Sequence, residues 1–190
     1  MSLPHSSQRP RFASRPSRRS ILLPFLASLA VVACDKESAG ADSPEGGGHP
    51  LVGSPAPAFD LSAQSGGKRA LLENARGKVA LVDFWATWCA PCKASFPKYQ
   101  ALSSKYGDSV VIIGIAEDDD ADGIKDFAKE TGATFTLAWD KDKSVASEYH
   151  PSSMPTSFII DKNGLVRFVH TGFRAGDESV IDGQIKSLLE

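Results

Sequence analysis

A nearly continuous apolar run leads directly into two cysteines that lie three positions apart. The run is Val79–Phe84, and the cysteines are Cys89 and Cys92. Such a run is typical of a strand buried on both faces of a sheet, and apolar residues at helical spacing follow the second cysteine. Two thiols on the first turn of a helix can close a small disulfide ring, and the unpaired N–H groups and dipole there favour a thiolate. The pattern therefore indicates thiol redox chemistry.

Apolar patterning predicts one domain over residues 51–190, which is enough chain for one core. It predicts a kinked helix after Cys92, with Pro97 inside it, a helix around Phe127 that ends at Gly132, and an amphipathic C-terminal helix around Ile181. The predicted strands are a short edge strand Ala58–Leu61, then Val79–Phe84, Val110–Ile115, Thr134–Ala138, and the hairpin pair Phe158–Ile160 and Leu165–Val169. This order predicts an α/β fold with a mixed sheet covered by helices on both faces.

The N-terminal segment, residues 1–34, has the pattern of an export signal. Its first 20 residues hold five arginines and no acidic residue, and the 13-residue apolar run Ile21–Ala33 follows. A membrane-spanning helix needs about 20 residues, so the pattern favours a signal peptide. Residues 31–34 resemble a bacterial lipobox, which predicts lipidation of Cys34; ordinary cleavage that leaves Cys34 as a free thiol is the alternative. Ser17–Leu22 also resembles a twin-arginine signal loosely, which leaves the export route open.

Residues 35–50 are rich in Gly, Ser, Asp and Glu and are expected to form a flexible linker. The signal carries five of the 21 basic residues and none of the 23 acidic ones, which leaves residues 35–190 with a net charge of −7. A nucleic-acid partner is not expected, because no basic patch remains. Membrane attachment would then depend on a lipid at Cys34.

The motifs of the domain resemble the thioredoxin superfamily, and specifically its exported, membrane-anchored TlpA/ResA branch. The resemblance covers essentially all of residues 50–190. It is carried by Gly53–Leu61, Phe84–Cys92, Phe96-Pro97 and Met154–Thr156. It implies a thioredoxin fold with an N-terminal β extension and a central αβ insert. Ser95 departs from the branch, which often has glutamate at this position.

The two cysteines are the predicted catalytic residues. Cys89 is expected to be the nucleophile, because only a thiolate attacks a disulfide and a helix N-terminus lowers the pKa of a thiol from its usual value of about 8.5. Cys92 is expected to be more buried and to act as the resolving thiol of the redox-active disulfide. A structural disulfide or half of a zinc site is the alternative, but zinc needs further ligands, and no second Cys-x-x-Cys or Cys-x-His pattern exists. No metal and no cofactor are expected.

Asp83 is the one acidic residue in the apolar strand. A charged carboxylate there would cost several kcal/mol, so its pKa is expected to rise. The resemblance implies that the acid helps to deprotonate the resolving Cys92, although the TlpA/ResA branch more often has asparagine at this position. A proton acceptor fits the chemistry; the alternative is an acid at the edge of the sheet that reaches solvent.

Three further residues are candidates for substrate binding. The resemblance implies that the Met154–Pro155 bond is cis and that its loop faces the cysteine pair, where the backbone of Met154 pairs with the substrate chain. The sequence without the resemblance favours a trans bond, since X-Pro bonds are mostly trans. Trp88, beside Cys89, is expected to line the substrate surface.

Residues 117–123 form an acidic segment with two interpretations. Asp118, Asp120, Asp122 and Gly123 match the first half of an EF-hand loop, but Lys129 stands where the twelfth position requires glutamate. We therefore expect a solvated acidic turn that caps the next helix. Glu117 falls roughly where the resembling branch carries an acid near the disulfide, and is a further candidate for the site.

The sequence thus predicts an exported thiol–disulfide oxidoreductase, lipid-anchored at the periplasmic face of the inner membrane and acting as a monomer. Reduction of disulfides is the expected direction. The resemblance implies a membrane thiol electron donor and exported clients such as apocytochromes c or copper-site assembly proteins. A thiol-based copper-binding module and a thiol peroxidase are the two alternatives, although Cys-x-x-x-Cys spacing and the peroxidase TxxC pattern are both missing.

Overall fold

The computed structural model describes residues 48–190. The predicted signal 1–34, the candidate lipid site Cys34 and most of the predicted linker 35–50 lie outside these residues. His49 falls within the predicted linker, but its ring packs edge-on against Phe158 at a centroid distance of 5.0 Å, and its Nε2 lies 3.3 Å from the carbonyl oxygen of His150. Packing of the domain therefore begins before residue 51.

Within residues 48–190, seven strands form one mixed sheet in the order β2-β1-β5-β4-β3-β6-β7. The central strands β3 and β4 run parallel, and β6 pairs with β3 in the antiparallel direction. The strands are β1 Asp60–Ser65, β2 Arg69–Leu71, β3 Val79–Trp85, β4 Val110–Ala116, β5 Thr136–Trp139, β6 Thr156–Ile160 and β7 Val166–Thr171. The mixed sheet, with β1 and β2 as an N-terminal extension, confirms the predicted fold class.

In the described part of the chain, four α-helices cover the two faces of the sheet: α1 Ala90–Tyr106, α2 Ile124–Thr131, α3 Ser144–Tyr149 and α4 Asp177–Leu189. Every residue of β3 is buried, as expected for a strand with packing on both faces. Alternate residues of β3 face opposite sides, so Leu81 and Trp85 pack with α1, α2 and α4, whereas Val82 and Phe84 pack with α3. The position of Asp83 in this alternation puts its side chain on the α1 face.

Local sequence signals place several boundaries correctly. Gly132 ends α2 in the left-handed conformation at φ 70°, where its N–H reaches the carbonyl oxygen of Lys129. The hairpin between β6 and β7 closes at Gly164, with φ 83° and a 2.9 Å bond from its N–H to the carbonyl oxygen of Asp161. Pro97 lies inside α1.

One prediction for the sheet is wrong, and one helix has no counterpart among the predictions. The segment Ala58–Leu61 was expected at the sheet edge, but β1 begins at Asp60 and lies between β2 and β5, so the edge is formed by the unpredicted β2. The helix α3 was not predicted either. It has only six residues and starts after Lys143 in the left-handed conformation at φ 58°, so it offers too few turns for a periodic signal.

Candidate active site

The cysteine pair lies at the N-terminus of α1, directly after β3. Cys89 is the N-cap residue, and it forms a disulfide with Cys92 at a Cα–Cα distance of 5.3 Å. The Sγ atom of Cys89 accepts a hydrogen bond from the backbone N–H of Cys92 at 3.3 Å. Cys92 is fully buried and Cys89 retains 4% of its exposure. After reduction, the same N–H and the helix dipole favour the thiolate at Cys89.

An exposed aromatic side chain adjoins the nucleophile. Trp88 keeps 71% of its surface in solvent, more than any other large apolar side chain among residues 48–190. Half-buried Met154 packs against the core cluster that contains both cysteines. Exposed apolar surface next to a reactive group is the kind of surface that another protein covers.

The Met154–Pro155 peptide bond is cis, as the resemblance implies. Pro155 immediately precedes β6, whose first residue, Thr156, pairs with Phe84 near the end of β3. The carbonyl oxygen of Pro155 accepts a 2.7 Å hydrogen bond from the N–H of Gly172. The proline loop is therefore held beside the end of β3, where β3 leads into the cysteine loop.

Asp83 is fully buried in the middle of the sheet, so the alternative of an acid that reaches solvent is wrong. Ser157, its partner on β6, donates a hydrogen bond of 2.6 Å to Oδ1, whereas Oδ2 has no hydrogen-bond partner within residues 48–190. Burial raises the pKa of Asp83 from 3.8 to about 8, against a smaller lowering by the Ser157 hydroxyl. A carboxyl with this pKa can exchange a proton near neutral pH.

Glu117 directly follows β4, and its N–H donates a 2.8 Å hydrogen bond to the carbonyl oxygen of Trp85. It therefore lies next to the end of β3, where the cysteine loop starts. Its Oε1 is buried and finds no hydrogen-bond partner in the part of the chain described. Burial, and then the charge of Asp140, raise the pKa of Glu117 to about 7, while Lys143 opposes the rise. With this pKa, Glu117 can also exchange a proton near neutral pH.

The acidic segment after Glu117 is exposed at Asp119, Asp120 and Asp122, as the predicted solvated turn requires, but not at Asp118. Asp118 is 6% exposed, and its carboxylate accepts hydrogen bonds from the N–H of Thr87 at 3.1 Å and from its hydroxyl at 2.7 Å. The N-cap of α2 is Gly123, and no side-chain cap is formed there by the residues described. Asp118 thus anchors the loop that carries Trp88. Sequence reasoning missed this role, because the two partners lie 31 residues apart.

A second missed feature is a set of buried hydroxyl groups behind Asp83. The hydroxyl of Tyr99, on α1, lies 2.8 Å from Oγ of Ser157. Ser95 donates a 3.1 Å hydrogen bond to the carbonyl oxygen of Cys92. Both α1 residues belong to the buried face of a helix pattern, and the sequence carries no signal that would separate them from ordinary core residues.

Two observations concern other kinds of site. No group of three or more His, Cys, Asp or Glu side chains is arranged to hold a metal ion within residues 48–190. A groove of about 610 Å³ lies where β3 begins and β6 ends, lined by residues that include Leu72, Arg76 and Ile160. This is the opposite end of those strands from the cysteines, so the groove is not part of the candidate site.

Comparison with known proteins identifies the family. The profile of the AhpC/TSA family matches residues 52–169, which is more than half of the chain. The chain belongs to the AhpC/TSA family. Within this family it is similar to the thiol-disulfide oxidoreductase ResA of Bacillus subtilis (strain 168), with 35% identity over 159 residues that cover 82% of this chain and 83% of the relative. It is also similar to the thioredoxin-like protein YneN of the same organism, with 33% identity over 63% of this chain and 71% of that one.

This AhpC/TSA member is also similar to a solved structure. A candidate thiol:disulfide interchange protein DsbE from Chlorobium tepidum superimposes with a TM-score of 0.69 at 34% identity, over 73% of this chain and 98% of that one. The fold is thioredoxin-like, and the protein is a thiol–disulfide oxidoreductase. Within residues 48–190, no helix has the length and apolar character needed to cross a membrane.

Proposed function

We propose that the protein reduces disulfides of exported client proteins through the Cys89–Cys92 pair. The Cys89 thiolate attacks one sulfur of the client disulfide, a mixed disulfide forms, and the first client sulfur leaves as a thiolate. Cys92 gives up its proton and attacks Sγ of Cys89, which releases the second client sulfur. The client gains two electrons, the Cys89–Cys92 disulfide is formed, and a membrane thiol donor must return two electrons for the next cycle.

The observation that carries this proposal is the hydrogen bond from the Cys92 N–H to Sγ of Cys89 at the N-terminus of α1. A sulfur held there is stabilised as an anion, which serves both as the attacking group and as the leaving group of thiol exchange. Asp83 is the proposed proton acceptor for Cys92, since its raised pKa matches the task. Glu117 is proposed as a second proton-exchanging group next to the end of β3.

The client is proposed to lie across the surface formed by Trp88, Met154 and Pro155. An exposed indole and a flexible thioether adapt to different apolar segments, and the loop before β6 offers backbone groups to an extended chain. Clients of this kind include apocytochromes c and copper-site assembly proteins, as the resemblance implies.

Residues 1–34 are proposed to direct export, and Cys34 to carry the lipid that holds the enzyme at the periplasmic face of the inner membrane, with 35–50 as the spacer. The arginine-rich start, the 13-residue apolar run and the lipobox-like residues 31–34 support this proposal. Intact-mass analysis of the mature protein tests it. A lipid mass that is lost in Cys34→Ser is expected; an unmodified thiol would show that the signal is simply cleaved.

The catalytic proposal is tested by trapping the mixed disulfide. Cys92→Ser should accumulate a covalent complex with a disulfide-containing client, because Cys89 can attack and the complex cannot be resolved. Cys89→Ser, the matched control, should form none. Equal trapping by both variants would refute the assignment of Cys89 as the nucleophile.

The direction is tested by equilibrating the pair in glutathione buffers. A potential near about −270 mV, as in thioredoxin, is expected for a reductase, whereas about −120 mV, as in DsbA, would make the protein an oxidant. Consumption of peroxide without disulfide reduction would favour a thiol peroxidase, and copper retained by the purified thiols would favour a metal-binding module.

A further inference from the structure

A row of buried hydroxyl groups ends on the carboxylate of Asp83. Asp83, Ser157 and Tyr99 are all fully buried, on β3, β6 and α1. Ser157 donates its only hydroxyl proton to Oδ1 of Asp83 at 2.6 Å. In the 2.8 Å contact between Tyr99 and Ser157 the tyrosine must therefore be the donor. Both hydrogen bonds thus point toward the carboxylate.

We infer that Ser157 and Tyr99 are positioning residues that favour the ionised, proton-accepting form of Asp83 during thiol exchange. The inference rests on the proposed function, in which Asp83 accepts the proton of Cys92. Hydrogen bonds donated to a carboxylate favour its charged form, and a chain of two donors strengthens the bond at its end. Because Oδ1 is occupied by Ser157, Oδ2, which has no partner within residues 48–190, is left as the oxygen that exchanges the proton.

Burial is the largest influence on the ionisation of Asp83, and the hydrogen bond from Ser157, which Tyr99 supports, opposes it. On β4 the partner of Asp83 is Gly114, which has no side chain, and the cysteines of α1 do not titrate while they form the disulfide. On β7, His170 is the register partner of Ser157, and its Nε2 lies 2.7 Å from Oε1 of Gln184 on α4. Burial and the charge of Asp83 raise the pKa of Tyr99. The charge of Asp177, at the start of α4, raises it further.

The test is a direct titration of the Asp83 carboxyl in the oxidised full chain, by ¹³C NMR of labelled aspartate, with Asp83→Asn used for assignment. Ser157→Ala should move the titration midpoint up by about one pH unit, because a hydrogen bond to a buried charge is lost. Tyr99→Phe should move it in the same direction by less. Ser157→Thr keeps the hydroxyl and should keep the wild-type midpoint.

Tyr149→Phe is the matched control. Tyr149 is also fully buried and donates a hydrogen bond to the carbonyl oxygen of Pro57 at 2.9 Å, but it packs on the opposite face of the sheet. It should lose a comparable hydrogen bond without moving the midpoint. A shift as large as that of Tyr99→Phe would show that the change reports general loosening, and would overturn the inference.

The pH profile of mixed-disulfide resolution supplies the functional readout. The profile should move to higher pH in Ser157→Ala and Tyr99→Phe by the same amount as the carboxyl midpoint. An unmoved midpoint in both variants overturns the inference, as does a moved midpoint with an unmoved profile. If Ser157→Ala does not fold, Tyr99→Phe decides by the same criteria. A wild-type chain that reduces no disulfide would refute the proposed function instead, and the titration would still decide whether the hydroxyls favour the ionised form of Asp83.

Discussion

Replacing Asp83 by Asn should make the oxidised protein more stable at high pH and no more stable at low pH. The pKa of Asp83 is raised from 3.8 in the unfolded chain to about 8 in the folded protein. Between these values the folded state binds a proton that the unfolded state does not, so stability falls as the pH rises. Stability is therefore full below about pH 4, declines up to about pH 8 and then levels off.

The size of this effect follows from the two pKa values. They differ by about four pH units, and each unit corresponds to about 1.4 kcal/mol, so ionised Asp83 lowers the free energy of unfolding by about 5–6 kcal/mol at most. In the variant, the amide oxygen can still accept from Ser157, but the amide nitrogen replaces the unpartnered Oδ2 and costs about 1–3 kcal/mol. A net gain of about 2–5 kcal/mol is therefore expected at pH 9.

The assay is urea unfolding of the oxidised protein at pH values from 4 to 9, where the disulfide cannot titrate. The curves of wild type and Asp83→Asn should cross, with the variant equal or weaker at pH 4 and stronger at pH 9. Asp119→Asn, an exposed acid in the loop after β4, should follow the wild type throughout. A stability difference between Asp83→Asn and wild type that does not change with pH would refute the reasoning.

Four further substitutions concern residues in or next to β3 and β4. Asp118→Ala should lower the free energy of unfolding in urea by about 2–4 kcal/mol, because the N–H and hydroxyl of Thr87 lose their acceptor. Thr87→Val keeps the N–H bond and should lose at most about 1.5 kcal/mol in the same measurement. Gly114→Ala should destabilise by about 1–3 kcal/mol in thermal unfolding, since a Cβ there would lie 2.7 Å from Cδ2 of Leu137. Glu117→Gln should remove a fall in stability between about pH 4.5 and 7, since its raised folded pKa makes ionisation unfavourable; an unchanged pH dependence of unfolding would contradict this.

Features that depend on neighbouring residues in the chain could be predicted from the sequence. The buried strand β3 is identified by its own apolar residues, the end of α2 by Gly132, and the β6–β7 hairpin by its turn residues. The position of β1 could not be predicted, because a strand carries little local sign of which strands it will pair with. Its partner β5 lies about 75 residues away in the chain.

The same division holds within the site. Cys89 and Cys92 are close in the chain and define their own geometry, so their spacing is informative. The contact of Tyr99 with Ser157 joins residues 58 apart, and each looks like an ordinary core or strand residue when taken alone. The charge run predicts a solvated turn, which holds for the exposed Asp119, Asp120 and Asp122, and only the fold brings the Asp118 carboxylate to Thr87.

The topology explains why these distant segments meet at one place. Parallel strands β3 and β4 end side by side, so Trp85 and Glu117 become neighbours there. Strand β6 is antiparallel to β3 and starts beside the end of β3, directly after Pro155. Asp83 and Glu117 both lie in this region with raised pKa values, so each lowers the stability of the folded protein at neutral pH. Two such carboxyls, one in β3 and one directly after β4, are a cost that packing alone does not explain, whereas the proposed proton transfer to and from thiols near neutral pH uses groups with this property.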